Sequence, residues 1–259
     1  MSEASVVVHS DAEVLAHAAA ARLAVRLLDA QAERGSASVV LTGGRVGGQV
    51  LRELRDSPAR DAVDWRLVDV WWGDERWVAA GDPERNDVLA REALLDSVPV
   101  DPARVRSFPA PGAWSAHDPE AAADAYAQDL AAAAKPEDHG DVPRFDVLLL
   151  GVGEEGHVAS IFPESPAVYE DRSVVAVRGC PKPPPVRLTL TLPAIRAASE
   201  VWLMTAGESK AGAVALALSG AGEVQVPAAG ARGRVRTLWL LDRAAASRLP
   251  TSLIRLPTA

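Results

Sequence analysis

The chain has 259 residues, 48% of them apolar and 24% charged, with a formal net charge of −8. This balance excludes a disordered chain, and an acidic surface is ill suited to wrapping nucleic acid or lying on an anionic membrane. No stretch approaches the roughly 20 apolar residues of a membrane span, and the N-terminus lacks the basic and apolar regions of a signal peptide. A cytoplasmic location is expected, with no nucleic-acid or membrane partner. An anionic substrate would need positive charge gathered locally.

The predicted elements alternate short β-branched runs with Ala/Leu/Arg-rich helices, the pattern of an α/β fold with a mostly parallel sheet and helices on both faces. Val6–Val8 reads as a first strand. Asp11 is placed to cap a long helix ending near Gly35. Ala37–Leu41 is a strand running into Thr42-Gly43-Gly44, followed by a helix over Val46–Leu54. Arg66–Trp72 is a third strand entering Gly73-Asp74-Glu75-Arg76. Asp82–Leu95 and Pro119–Ala133 read as helices, and Lys135–Arg144 as a surface loop. Phe145–Leu150 shows no alternation and is expected at the centre of the sheet. Ser173–Val177, Arg187–Leu192, Val201–Thr205 and Thr237–Leu241 read as strands, Glu208–Leu218 as a helix and Ser219–Gly230 as a loop. No repeat or long linker divides the chain, so residues 1–259 are expected to form one domain.

Four polar clusters directly follow predicted strands, at the edge where parallel sheets bind ligands. In the first, Thr42, Gly43, Gly44 and Arg45 join a strand to a helix. Glycines there let backbone N–H groups approach a phosphate, but they serve a tight turn equally well. In the second, Asp74 and Arg76 pair a carboxylate with a cation between Trp72 and Trp77, which either wall a pocket or belong to the core.

The third, Gly151-Val152-Gly153-Glu154-Glu155-Gly156-His157, spells the G-x-G-x-x-G of dinucleotide sites. Two glutamates beside a pyrophosphate and the prolines at 163 and 166 argue against that reading. His157, with the Glu155 carboxylate two positions earlier, can take a proton from water instead. His9, His17, His117 and His139 have no such neighbourhood. Lys210, after Gly207, belongs to the fourth cluster. With Arg187, which follows three prolines, it is a candidate phosphate contact, although both could be solvated surface charge. Cys180 is the only cysteine. A free structural thiol is expected, and no Cys/His set has zinc spacing, so no metal is expected.

Taken together, Thr42-Gly43-Gly44, Gly73-Asp74-Glu75-Arg76 with Asn86, Gly151-x-Gly153, Gly156-His157-x-Ala159-Ser160-x-Phe162-Pro163, Lys182-Pro183-Pro184-Pro185-x-Arg187-x-Thr189 and Gly207-x-x-Lys210 resemble the 6-phosphogluconolactonase family. That family is related to glucosamine-6-phosphate deaminase. The likeness runs from about Val39 to Leu241.

The resemblance implies a modified Rossmann-like fold and metal-independent hydrolysis of a phosphosugar lactone in the oxidative pentose phosphate pathway. An ester carbonyl is already electrophilic, so no cofactor is expected, and the expected state is a monomer. The resemblance also implies that His157 activates water, with Glu155, Asp74 and Arg76 in the site, and that Thr42, Gly43, Gly44, Arg45, Arg187 and Lys210 hold the substrate. Two positions depart from the family pattern. Glu155 stands where Asp is common, and Arg45-Val46-Gly47 where Ser-Thr-Pro is common. The alternatives are an aminosugar-phosphate deaminase or isomerase, or a sugar-phosphate-binding protein without catalysis.

Overall fold

In a computed structural model, which describes residues 4–113, 118–138, 140–250 and 253, the alternating runs become nine strands and seven α-helices among those residues. The strands are β1 (Ala4–His9), β2 (Ala37–Leu41), β3 (Val68–Trp72), β4 (Asp74–Arg76), β5 (Val147–Gly151), β6 (Val174–Val177), β7 (Arg187–Leu190), β8 (Glu200–Thr205) and β9 (Arg236–Asp242). The helices are α1 (Ala12–Arg34), α2 (Gly44–Asp56), α3 (Asn86–Ala93), α4 (Pro119–Ala133), α5 (Leu192–Arg196), α6 (Ala211–Leu218) and α7 (Pro227–Gly230). His117 and His139 lie outside the described residues.

Local chemistry sets the clearest boundaries. The Asp11 carboxylate accepts the Val14 N–H at 2.9 Å and starts α1. Gly35, at φ +78°, stops it by turning its own N–H back to the Gln31 carbonyl. Asp118 caps α4 in the same way through the Ala121 N–H.

Six strands pair in parallel in the order β1-β9-β8-β5-β2-β3. β5 lies inside this sheet, as its unbroken apolar run requires, and Val147, Leu148, Leu149 and Leu150 are all buried. β3 is an edge strand, and an aromatic cluster covers it. The Tyr126 hydroxyl accepts from the Trp72 N–H at 3.0 Å and donates to the Trp72 carbonyl at 3.3 Å. Its ring stacks on Phe108 and meets Trp71 edge-on. That pairing satisfies backbone groups an edge strand would otherwise leave open.

Three differences from the sequence reading bear on the site. Asp74–Arg76 is a strand, and with β6 and β7 it forms a second, antiparallel sheet in the order β4-β7-β6. The helix expected over Asp82–Leu95 is confined to α3, because both Glu75 carboxylate oxygens take backbone N–H groups, from Asn86 and Asp87, and start the helix there. The loop expected over Ser219–Gly230 ends in the short helix α7.

Replacing Tyr126 with Phe leaves the Trp72 N–H buried without its acceptor. The expected cost is about 1–2 kcal/mol of stability. Urea unfolding should show a lower midpoint with an unchanged slope.

Candidate active site

Strands β3, β2, β5 and β8 are consecutive neighbours in the sheet and run the same way. The segments that follow them, 73–76, 42–45, 151–157 and 207–210, therefore leave the same edge. The small sheet grows from this edge too, since only Gly73 separates β3 from β4. In the β4–β7 ladder Asp74 faces Thr189 and Arg76 faces Arg187. Residues opposite one another across a ladder, and residues two apart along a strand, share a face. One face of β4–β7 thus presents a carboxylate, two guanidiniums and a hydroxyl.

Asp74 is 6% exposed, and a carboxylate so buried needs partners. It has three. The Ser160 hydroxyl donates to its Oδ2 at 2.6 Å, the Asn86 amide donates to its Oδ1 at 3.2 Å, and Arg187 Nη1 stands 4.0 Å from Oδ2. The same Asn86 amide also donates to the Asp74 carbonyl at 2.8 Å. Behind Asn86 lies Gly43, where a Cβ would come within 1.8 Å of Asn86 Oδ1. Glycine is needed here for close approach, and it brings the 42–45 loop against the Asp74 group. Glu75, pointing the other way, is fully buried and takes N–H groups from Arg76, Asn86 and Asp87. Burial pushes its carboxyl up to about 7, against Arg85 and those three donors.

His157 is held on two sides. Its ring lies 4.5 Å from the Phe162 ring, centroid to centroid, with the planes 30° apart. On the other side a Cβ on Gly153 would sit 1.9 Å from Nδ1, so only glycine fits beneath the imidazole. The turn is closed by the Gly153 N–H donating to the His157 carbonyl at 2.9 Å, and Gly156 takes φ +88° within it. Glu155 Oε1 stands 3.3 Å from Nδ1, a charge contact off the hydrogen-bond direction. Burial lowers the imidazole pKa from its ordinary value; Glu155 and Asp74 oppose the shift and Lys182 adds to it. Glu155 itself is raised by burial but ends below the usual carboxylate range, through its own backbone N–H, Lys182 and His157. No helix begins after Gly153, where a dinucleotide fingerprint would need one; the next element is the short turn Pro166–Tyr169.

The cations differ in how they are committed. Arg187 donates from Nε to the Pro184 carbonyl and from Nη2 to the carbonyls of Lys182 and Pro183, leaving Nη1 toward Asp74. Arg76 donates to the Glu84 carbonyl. Lys210 Nζ lies 3.3 Å from the exposed Glu154 and Lys182 Nζ 3.0 Å from Glu155, so each glutamate of the turn has a lysine. Arg45 is exposed in the first turn of α2 and has no ion-pair partner among the described residues. Gly43 caps α2 without a side-chain bond, which leaves the helix N–H groups open to an anion. Trp72 is core, and Trp77 packs half-buried against it. Among the described residues no three His, Cys, Asp or Glu side chains gather as metal ligands would, and no helix is long and apolar enough to cross a membrane.

A family model described as glucosamine-6-phosphate isomerases/6-phosphogluconolactonase matches residues 10–239. The chain belongs to this family. It is 66% identical to the 6-phosphogluconolactonase of Streptomyces coelicolor, over 95% of each chain. It is 50% identical to that of Mycobacterium tuberculosis, over 95% of this chain and 99% of the relative. The solved 6-phosphogluconolactonase of Trypanosoma brucei superposes with a TM-score of 0.81 at 29% identity, covering 96% of this chain and 99% of that one. The central parallel sheet with its helices is the fold shared with that solved structure.

Against this family background, the structure adds residues that the sequence reading quoted in motifs without giving them work. Asn86, Ser160 and Thr189 build the Asp74 pocket, with Thr189 Oγ1 accepting the Ser160 N–H at 3.2 Å. Lys182 meets Glu155. Cys180 is buried close enough to Arg187 and Asp74 to feel both charges; burial raises its thiol pKa, and Arg187 opposes the rise. The signal was spacing within shared motifs, which does not say what touches what.

Gly153→Ala is expected to push the imidazole out of place while the fold survives. A displacement of about 1 Å at a reacting group costs on the order of 10²-fold in rate. Steady-state turnover beside a thermal melt separates the two effects.

Proposed function

We propose that this protein hydrolyses 6-phospho-D-glucono-1,5-lactone to 6-phosphogluconate. The observation that carries the reading is the imidazole of His157, pinned between Gly153 and Phe162 with Nδ1 toward Glu155. The Asp74 charge, which Arg187 meets, acts on the ring, and Lys210 meets Glu154 of the same turn. With Nδ1 turned toward the Glu155 carboxylate, Nε2 is the nitrogen left to accept a proton from water.

The phosphate would rest on the N–H groups at the start of α2, in the loop Thr42, Gly43, Gly44 and Arg45, with Arg187 Nη1 and Lys210 supplying charge. This sets the lactone carbonyl over His157. The imidazole removes a proton from water as its oxygen bonds to C1, and Glu155 steadies the imidazolium. Arg76 or a backbone N–H stabilises the negative oxygen that forms. The C1–ring-oxygen bond then breaks, and the departing oxygen takes the proton back from His157. An ester carbonyl is already electrophilic, so the step calls for no cofactor and no metal. The reading is of a monomer made of one α/β domain. In the cytoplasm the buried Cys180 would stay a free thiol.

The test is turnover of freshly prepared lactone in a pH-stat, corrected for spontaneous hydrolysis. His157→Ala and His157→Gln should each lose about 10²–10⁴-fold; wild-type rates in both would remove His157 from this role. Ammonia release from glucosamine 6-phosphate would favour the other activity of the family.

The pH profile has a set direction. Only the neutral imidazole accepts a proton, and its pKa is lowered from 6.5. The rate kcat/KM should therefore hold at neutral pH and fall only once the pH drops below 6.5.

A further inference from the structure

We propose that Lys182 is a positioning residue that acts on the base through Glu155, its ammonium set on the far oxygen of that carboxylate so that the negative charge facing the imidazole of His157 is partly balanced. The inference rests on His157 being that base. Glu155 is shared: Oε2 lies 3.0 Å from Lys182 Nζ while Oε1 lies 3.3 Å from His157 Nδ1. The Glu155 carboxylate also takes its own backbone N–H, so it stays beside the ring when the lysine charge is removed.

The Lys182 backbone is itself tethered. Arg187, buried at the root of the strap, donates to the carbonyls of Lys182, Pro183 and Pro184, and the Cys180 N–H donates to the Pro185 carbonyl at 2.9 Å. The strap therefore holds its lysine over the 151–157 turn, with the side chain 43% exposed.

The same ammonium acts on the charge state of the ring. The charged groups that face His157 are Glu155 from its own turn, Asp74 from β4 and Lys182 from the strap; Phe162 is neutral. Beyond them stand the Glu154–Lys210 pair and Arg187, the latter beside Asp74. Glu155 and Asp74 favour the imidazolium, whereas Lys182 and burial oppose it. Removing the lysine charge leaves two carboxylates facing the ring and one cation fewer against them. The ring then protonates at higher pH, and less of it is a base on the acid side.

The experiment compares wild type with Lys182→Met and Lys182→Arg, using two readouts. The first is titration of the His157 ring by NMR in the free protein, which does not depend on turnover. The second is the acid limb of kcat/KM for the lactone. In Lys182→Met both midpoints should move to higher pH, and the rate on the acid limb should fall about two- to fivefold beyond any change on the plateau, the range of a half-exposed charge contact. Lys182→Arg should restore both. Added salt should shrink the difference, since the pair is partly open to solvent.

An unmoved His157 titration in Lys182→Met would overturn the proposal, and so would equal shifts in the Met and Arg variants. A rise in KM with an unmoved acid limb would make Lys182 a substrate contact and also overturn it. Failure of the base assignment reads out separately, as wild-type turnover in His157→Gln.

Discussion

A carboxylate out of water is stable only where hydrogen bonds and opposite charge replace its hydration, and Asp74 is such a group. Its partners come from three distant parts of the chain: Asn86 from α3, Ser160 from the turns after β5, and Arg187 from β7. Each partner has a second attachment of its own. Asn86 presses on Gly43, Ser160 bonds to Thr189, and Arg187 carries the carbonyls of the strap. The Asp74 charge therefore assembles four loops. It also reaches the imidazole of His157, which feels it directly.

The imidazole proposed as the base is placed by shape more than by charge. No strong hydrogen bond fixes the His157 ring; the backbone of Gly153 and the face of Phe162 do. Packing against backbone is stiff, because nothing there can rotate away. Charge then sets the ring's readiness to take a proton, with burial on one side and two carboxylates on the other. The division suits a general base, whose position must not vary while its proton comes and goes.

Glu154 and Glu155 would be unwelcome beside a phosphate, yet both belong to the turn that leads into His157. Lys210 and Lys182 answer them one to one. The pairing keeps the two glutamates from dominating the turn, and Arg45, the Nη1 end of Arg187 and the open helix end of α2 add positive character in a chain of net charge −8.

The alternation of strand and helix, the caps at Asp11 and Gly35 and the interior place of β5 could be read from residues alone, because each depends on neighbours within one turn or one periodic run. The likeness to the family was equally legible, since its motifs are short and ordered. What only the folded chain decided involves partners far apart along it: Ser160 lies 86 positions from Asp74. The early strand at Asp74–Arg76 exists because β7 pairs with it. The late start of α3 exists because Glu75 claims its first N–H groups. The guanidinium of Arg187 turns inward because the strap offers it three carbonyls. A sequence names these donors and acceptors but not their distances, and hydrogen bonds are won by distance.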